Sequence, residues 1–376
     1  MAHGEYLDEN LLDALLAGDL DTLKTYDLHA VDARRQTLLF YAVRQRAFKS
    51  LTHLLEAGVD PSLANHFHDT PLHAAANFGD EWMVRQLLDH DSPVDARNKK
   101  GTTPLMLAAR RGAKAVLRVL INAHADPAVR DRSGRTAVFY AVESRREAPV
   151  ELLIKKGANL FARDAEGETL HHAVARYGTA GMQRRLMSEG LSPYIFNLYN
   201  QTPLHHAARR GEDLLVERLL KSGLDPSWKD RFGASAMDYA EGSGDIETLL
   251  ERATSDIDTQ KALQALPLHR ALRSGDLDRA EALIRSGVEV DVEDCFSNRP
   301  LFYALLFGDE TLTAQLLDAG ATGVDVDAQG NTALFYAVLF KDASLSALLK
   351  SKEAAKADDR TRSLLTAAPS AIRNLF

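Results

Sequence analysis

The side chains best suited to chemistry in this chain are its histidines. There are 13, and the adjacent pairs His171-His172 and His205-His206 invite a metal reading. A zinc ion needs ligands converging at about 2 Å. His73, His172, His205 and His269 instead recur at one slot of a repeated motif, read as TPLH at 70–73 and 202–205, TLHH at 169–172 and LPLH at 266–269. Equivalent slots on neighbouring helices lie about 8–10 Å apart, too far for one ion to bridge. These histidines are read as structural, with no metal and no cofactor. No Gly-rich phosphate loop, nucleophile elbow or H-E-x-x-H occurs, and the Gly-rich stretch GASAMDYAEGSG (233–244) falls on repeat positions. No catalytic residue is assigned and no enzyme is expected. Cys295 is the only cysteine, which excludes an intrachain disulfide or a cysteine metal cluster and fits a reducing compartment.

The elements that position these residues repeat every 33 residues. Thr37, Thr70, Thr103, Thr136, Thr169, Thr202 and Ser235 are equally spaced, and a period of this size marks a stacked solenoid. The best copies are DTPLHAAANFGD (69–80), TTPLMLAARRG (102–112) and QTPLHHAARRG (201–211). The Thr can cap a helix, and Pro71, Pro104 and Pro203 suit its first turn, where no N–H is needed. Gly79, Gly112, Gly178, Gly211 and Gly244 follow nine residues after the anchor as helix stops. Apolar pairs such as Leu54-Leu55, Leu87-Leu88 and Leu219-Leu220 mark a second helix facing the stack. Its stops are Gly58, Gly157, Gly190 and Gly223, with Asp91 and His124 in two copies. Stretches such as ARNKKGT (96–102) then carry turn chemistry.

On these residues the chain resembles the ankyrin repeat family, whose signature is T-P-L-H-x-A with this period. The resemblance implies an all-α solenoid of about eleven helix-turn-helix units with protruding hairpin loops. An abbreviated first unit (10–28) and a helical C-terminal tail are expected as caps. Register breaks once, between Ser235 and LPLHRALRSGD (266–276), which predicts an irregular joint over 251–265. The joint separates an N-terminal block, 1–253, from a C-terminal block, 254–376, read as one continuous solenoid.

The resemblance also implies a concave binding face lined by first helices and hairpin tips. Positions seven and eight after each anchor then place Arg110, Arg111, Arg176, Tyr177, Arg209 and Arg210 in that face, giving way to Phe307 and Phe340 toward the C-terminus. Tyr199 and Phe232 lie three residues before their anchors as exposed tip aromatics, with Trp228 nearby. Tyr41, Tyr140, Tyr303 and Tyr336 are read as lining residues that can face a ligand. Arginine makes bidentate contacts to carboxylates, so the expected partner is another protein with an acidic surface. The expected state is a monomer or a 1:1 heterocomplex.

The expected function is therefore a non-enzymatic protein-protein interaction scaffold. One form of it is a stoichiometric inhibitor or immunity-type protein of a toxic enzyme, and another is a secreted host-directed effector. The alternative is nucleic-acid or phospho-ligand binding in the arginine-rich groove. The net charge of −8 argues against it, because such binders are usually basic. No apolar run reaches the roughly 18 residues of a membrane span. The opening MAHGEYLDENLLDALLAGD lacks a basic n-region, so a mature cytoplasmic start is expected, and the style of the repeats looks bacterial.

Overall fold

The computed structural model describes residues 9–355, apart from 161, 190, 192, 194–195, 223, 241, 256–265, 274–275, 294–298, 308–309, 324–331, 335–336 and 338–342. The described residues form helices and turns with no strand, and an isolated antiparallel bridge joins Val31 to Thr37. The all-α expectation holds. The chain divides into two compact units, Met1–Ala165 with Tyr177–Met182, and Glu166–Arg176 with Gln183–Phe376.

Helices come in antiparallel pairs at the predicted period. The first unit contains Leu38–Gln45 with Phe48–Glu56, Pro71–Phe78 with Glu81–Asp89, Pro104–Arg111 with Lys114–Asn122, and Ala137–Glu143 with Glu147–Lys155. The second contains Pro203–Arg210 with Asp213–Lys221, Pro267–Arg273 with Leu277–Arg285, and Pro300–Phe307 with Glu310–Asp318. Each pair starts on its anchor. The Thr37 hydroxyl accepts the Phe40 N–H at 3.1 Å, which satisfies one donor that the helix leaves open. The expected abbreviated first unit consists of Glu9–Ala17 and the four-residue Leu20–Leu23.

The helix stops need a left-handed residue. Gly79, Gly112 and Gly211 take it at φ 76°, 74° and 72°. Asp91 and His124, which stand where other copies have glycine, adopt it too, at φ 62° and 64°. That conformation is sterically unfavourable for a residue with a Cβ, so the array geometry enforces it. The expected stops Gly190 and Gly223 lie outside the described residues. Gly244 is a correction: it begins the helix Gly244–Ser255. The first helix of that unit is a single turn, Ala236–Tyr239, and Gly242 makes the left-handed bend at φ 85°. Ile246 and Leu250 supply the core contacts of its second helix.

In the described hairpins an Asp or Asn five residues before the anchor folds the turn. Asn98 Oδ1 accepts the N–H groups of Lys100 and Thr102 at 2.9 and 3.0 Å. Asp131, Asn197 and Asp230 do the same in their copies. One backbone bond then links each tip to the tip before it, as in Lys99 N–H to Phe67 C=O at 2.9 Å and Arg231 N–H to Tyr199 C=O at 2.8 Å. Small residues let the first helices approach: Ala75, Ala76, Ala108, Ala109 and Ala141 are all buried.

The expected joint is helical where it is described, since Glu251 to Ser255 continue the preceding helix. Its remainder, 256–265, and the expected cap beyond 355 lie outside the described residues.

Candidate functional site

The first helices of the N-terminal unit present Arg110 and Arg111 in the last turn of Pro104–Arg111, both exposed. Cations suit a helix C-terminus electrostatically. Arg110 reaches the ring of Tyr140 in the next copy, with its Cζ 6.0 Å from the ring centroid. Neither arginine forms an ion pair among the described residues.

Tyr140 itself does not line a free surface. It is 3% exposed, and its hydroxyl donates to Asp131 Oδ2 at 2.7 Å while accepting from Arg135 Nη2 at 2.9 Å. Burial pushes its hydroxyl above the ordinary tyrosine range. The ligand-facing reading of Tyr140 is corrected: the same hairpin that builds the tip consumes its polar atom. Tyr41 donates likewise to Asp32 at 2.9 Å, and Tyr303 is 2% exposed. Tyr336 lies outside the described residues.

In the C-terminal unit Arg209 is exposed and lies 4.4 Å from the ring centroid of Tyr239. Arg176 and Arg210 differ. Arg176 pairs with the buried Glu168, and Arg210 with Glu212 at 2.6 Å. Burial works to raise the Glu168 carboxyl, but His206 and Arg176 outweigh it and hold the carboxyl below its usual range. His206 Nε2 lies 3.3 Å from Glu168 Oε1. The arginine row is thus partly neutralised from within. The signal was available in the sequence: the residue before the anchor and the residue seven after it carry opposite charges in two successive copies, Arg135 with Glu143 and Glu168 with Arg176.

The tips separate by position. Phe232 is 74% exposed and Tyr199 is 37% exposed, and their rings stack at 6.3 Å and 23°. Leu198 beside them is also exposed. Trp228 is a correction. It is 2% exposed, its Nε1–H donates to the Asn200 carbonyl at 2.9 Å, and its ring meets Phe196 at 4.4 Å and Tyr303 at 5.9 Å. It sits seven residues before its anchor, at the hairpin base, whereas Phe67, Tyr199 and Phe232 sit three before, at the tip. Tyr177 is exposed. Phe307 ends the helix Pro300–Phe307, but its side chain, like Phe340, lies outside the described residues.

The histidines serve the hairpins. His73 Nδ1 accepts the Thr70 N–H at 3.1 Å, which leaves Nε2–H to donate to the Thr102 carbonyl of the next copy at 3.0 Å. His172 bridges Thr169 and the Gln201 carbonyl in the same way. Burial lowers the pKa of His73 and takes that of His205 down to about 4, which favours the neutral rings this bonding needs. Among the described residues no group of three or more His, Cys, Asp or Glu side chains is arranged to hold a metal. No described helix is long and apolar enough to cross a membrane.

Comparison with known proteins agrees with this architecture. The family described as "Ankyrin repeats (3 copies)" matches residues 6–98, 39–131, 72–164, 150–230 and 268–360. Among solved structures the chain is similar to the crystal structure of the human ASB11 ankyrin repeat domain. Identity is 23% and the TM-score 0.52, over 58% of this chain and 98% of that one. No curated protein matches the sequence. Domains of this kind are generally protein-protein interaction scaffolds and typically non-enzymatic. With its period, capped helix pairs and linked hairpins matched over most of its length, the chain belongs to the ankyrin repeat family.

Proposed function

We propose that this protein is a non-enzymatic scaffold that binds an acidic protein partner in a 1:1 complex, as a stoichiometric inhibitor or immunity-type protein does. The observation that supports this most is the contrast among its first-helix arginines. Arg176 and Arg210 are matched by Glu168 and Glu212. Arg110, Arg111 and Arg209 are exposed and form no ion pair among the described residues. Guanidinium groups held on helix ends and over tyrosine rings are pre-oriented for carboxylates. The stacked Tyr199 and Phe232 add an exposed aromatic pair of the type that dominates interface energetics.

The test is the triple charge reversal Arg110→Glu, Arg111→Glu and Arg209→Glu, with binding measured against a protein that co-purifies with the wild type. Affinity should fall at least tenfold with the melting temperature retained. Unchanged affinity in a folded variant rejects the assignment. Co-purifying nucleic acid, with affinity falling steeply in salt, would replace it by the phosphate-binding alternative.

A further inference from the structure

A second surface of the N-terminal unit lies away from the hairpin tips and borders Arg111, whose Cγ is 3.4 Å from where a Cβ would stand on Gly79. It is formed where the two helices of each pair meet. Phe48 opens the helix Phe48–Glu56, and Trp82 lies in the first turn of the neighbouring helix Glu81–Asp89. Their rings meet edge to face at 5.3 Å and 73°. They are 42% and 41% exposed, and Phe78, at the end of the preceding helix, is 42% exposed. Three large aromatics are therefore left partly in water on one surface.

The surroundings are not symmetric in charge. Two nearby acids have ion-pair partners in the chain, Asp80 with Arg46 at 2.9 Å and Glu81 with Arg85 at 2.7 Å, and a third, Asp19 beside Gly18, accepts from the Thr22 N–H and hydroxyl. Arg46 also reaches Phe48, with its Cζ 6.0 Å from the ring centroid, and so fixes one edge of the patch. Lys49 follows Phe48, its stem lying 3.3 Å from where a Cβ would stand on Gly18. Lys114 takes, in the next-but-one copy, the helix position that Phe48 holds. Arg44 and both lysines are exposed and form no ion pair among the described residues. The rim therefore keeps an excess of positive charge in a protein of net charge −8.

We infer that this edge is a docking surface for an acidic polypeptide segment carrying an apolar anchor. The anchor covers Phe48 and Trp82, and the acidic residues meet Lys49 and Lys114. Apolar burial supplies the affinity, and charge complementarity supplies orientation and association rate. The surface is centred on Phe48 and Trp82, which the proposed function does not use, and shares Arg111 as a neighbour.

The reporter is built in. The chain has 2 tryptophans, and Trp228 is buried, so acrylamide quenching at the surface reads Trp82. The probe is a set of 15-residue peptides of net charge −6, 0 and +6, each with and without a Leu-Leu-Phe-Leu core. Only the acidic peptides with the apolar core should bind, protecting Trp82 from quenching and losing about tenfold in affinity when salt is raised from 50 to 200 mM, as for a few screened charge pairs. Lys49→Glu with Lys114→Glu should weaken binding at least tenfold without changing the melting temperature. Phe48→Ser should do the same, while Arg110→Glu with Arg209→Glu should not. Binding that ignores Phe48 and the lysines, equal binding of the basic peptides, or no binding by any peptide overturns the inference. So does preferential binding to phosphatidylserine vesicles, which would make the edge a membrane contact. Concentration-dependent dimerisation abolished by Phe48→Ser would make it a self-association face and likewise overturn it.

Discussion

Tyr140 donates its hydroxyl to Asp131 Oδ2 at 2.7 Å, nine residues back in the same copy. Asp131 uses its other oxygen to hold the hairpin N–H groups of Ser133 and Arg135. The same pairing joins Tyr41 to Asp32 and Tyr239 to Asp230. Copies with Asn at the hairpin position (65, 98 and 197) have Ala74, Leu107 and His206 where the tyrosine would be. A carboxylate has a spare oxygen to accept a phenol, and an amide that folds the same turn has a donor there instead. Tyr140→Phe should therefore cost about 1–2 kcal/mol, because it strips a partner from a buried carboxylate and from Arg135. Asp131→Asn should cost a similar amount, and the double variant less than the sum. A double-mutant cycle in urea denaturation measures the coupling; additive losses would mean that the two side chains act separately.

Acid should loosen the array before its carboxylates titrate. Burial lowers the pKa of His73 and His171 and takes that of His205 down to about 4. The unfolded chain takes up these protons below about pH 6.5, whereas the folded chain excludes the His205 proton until about pH 4. The contribution is complete above pH 6.5 and is lost as pH falls toward 4. For His205 alone the loss between pH 7.5 and 5 is roughly 2 kcal/mol. His205→Met, which installs the residue that the Thr103 copy uses at that slot, should flatten the dependence of the urea midpoint on pH. An unchanged slope would show that folding leaves the proton affinity of His205 unshifted.

The left-handed stops distinguish cost from space. At Gly58 and Gly157 an added Cβ would meet nothing within 4 Å, yet both glycines adopt a positive φ, 80° and 79°. Substitution by Ala should cost about 1 kcal/mol through backbone strain alone. The converse holds at Asp91 and His124, where Gly should stabilise by about 0.5–1 kcal/mol. Thermal melts of the four single variants give the two signs, and a stabilising Ala at Gly58 would contradict the assigned conformation.

Trp228 and Phe232 are four residues apart and should behave oppositely. Trp228→Ala opens a cavity beside Phe196 and Tyr303 and orphans the Asn200 carbonyl, at a cost of about 3–5 kcal/mol. Phe232→Ala touches an exposed tip and should stay within about 0.5 kcal/mol. Denaturation midpoints decide this, and a large loss at Phe232 would make the tip aromatics a packing device.

The repeat period, the pairing of helices, the capped starts and the turn chemistry of the hairpins were legible in the residues, because each rests on interactions within a few positions of its anchor. Thr37 caps Phe40, and Asn98 folds Lys100 and Thr102, whatever surrounds them. The state of the surface residues was not legible in that way. Trp228 is buried by Asn200, Phe196 and Tyr303, and Tyr140 is tied between Arg135 and Asp131 beneath Arg110 of the preceding copy. Which arginine keeps a free guanidinium depends on the acid that stacking brings beside it: Arg176 is paired with Glu168, whereas Arg110 has no ion pair among the described residues. Local sequence sets the shape of one copy, whereas exposure and charge pairing are set by contacts between neighbouring copies, and those exist only once the copies are stacked.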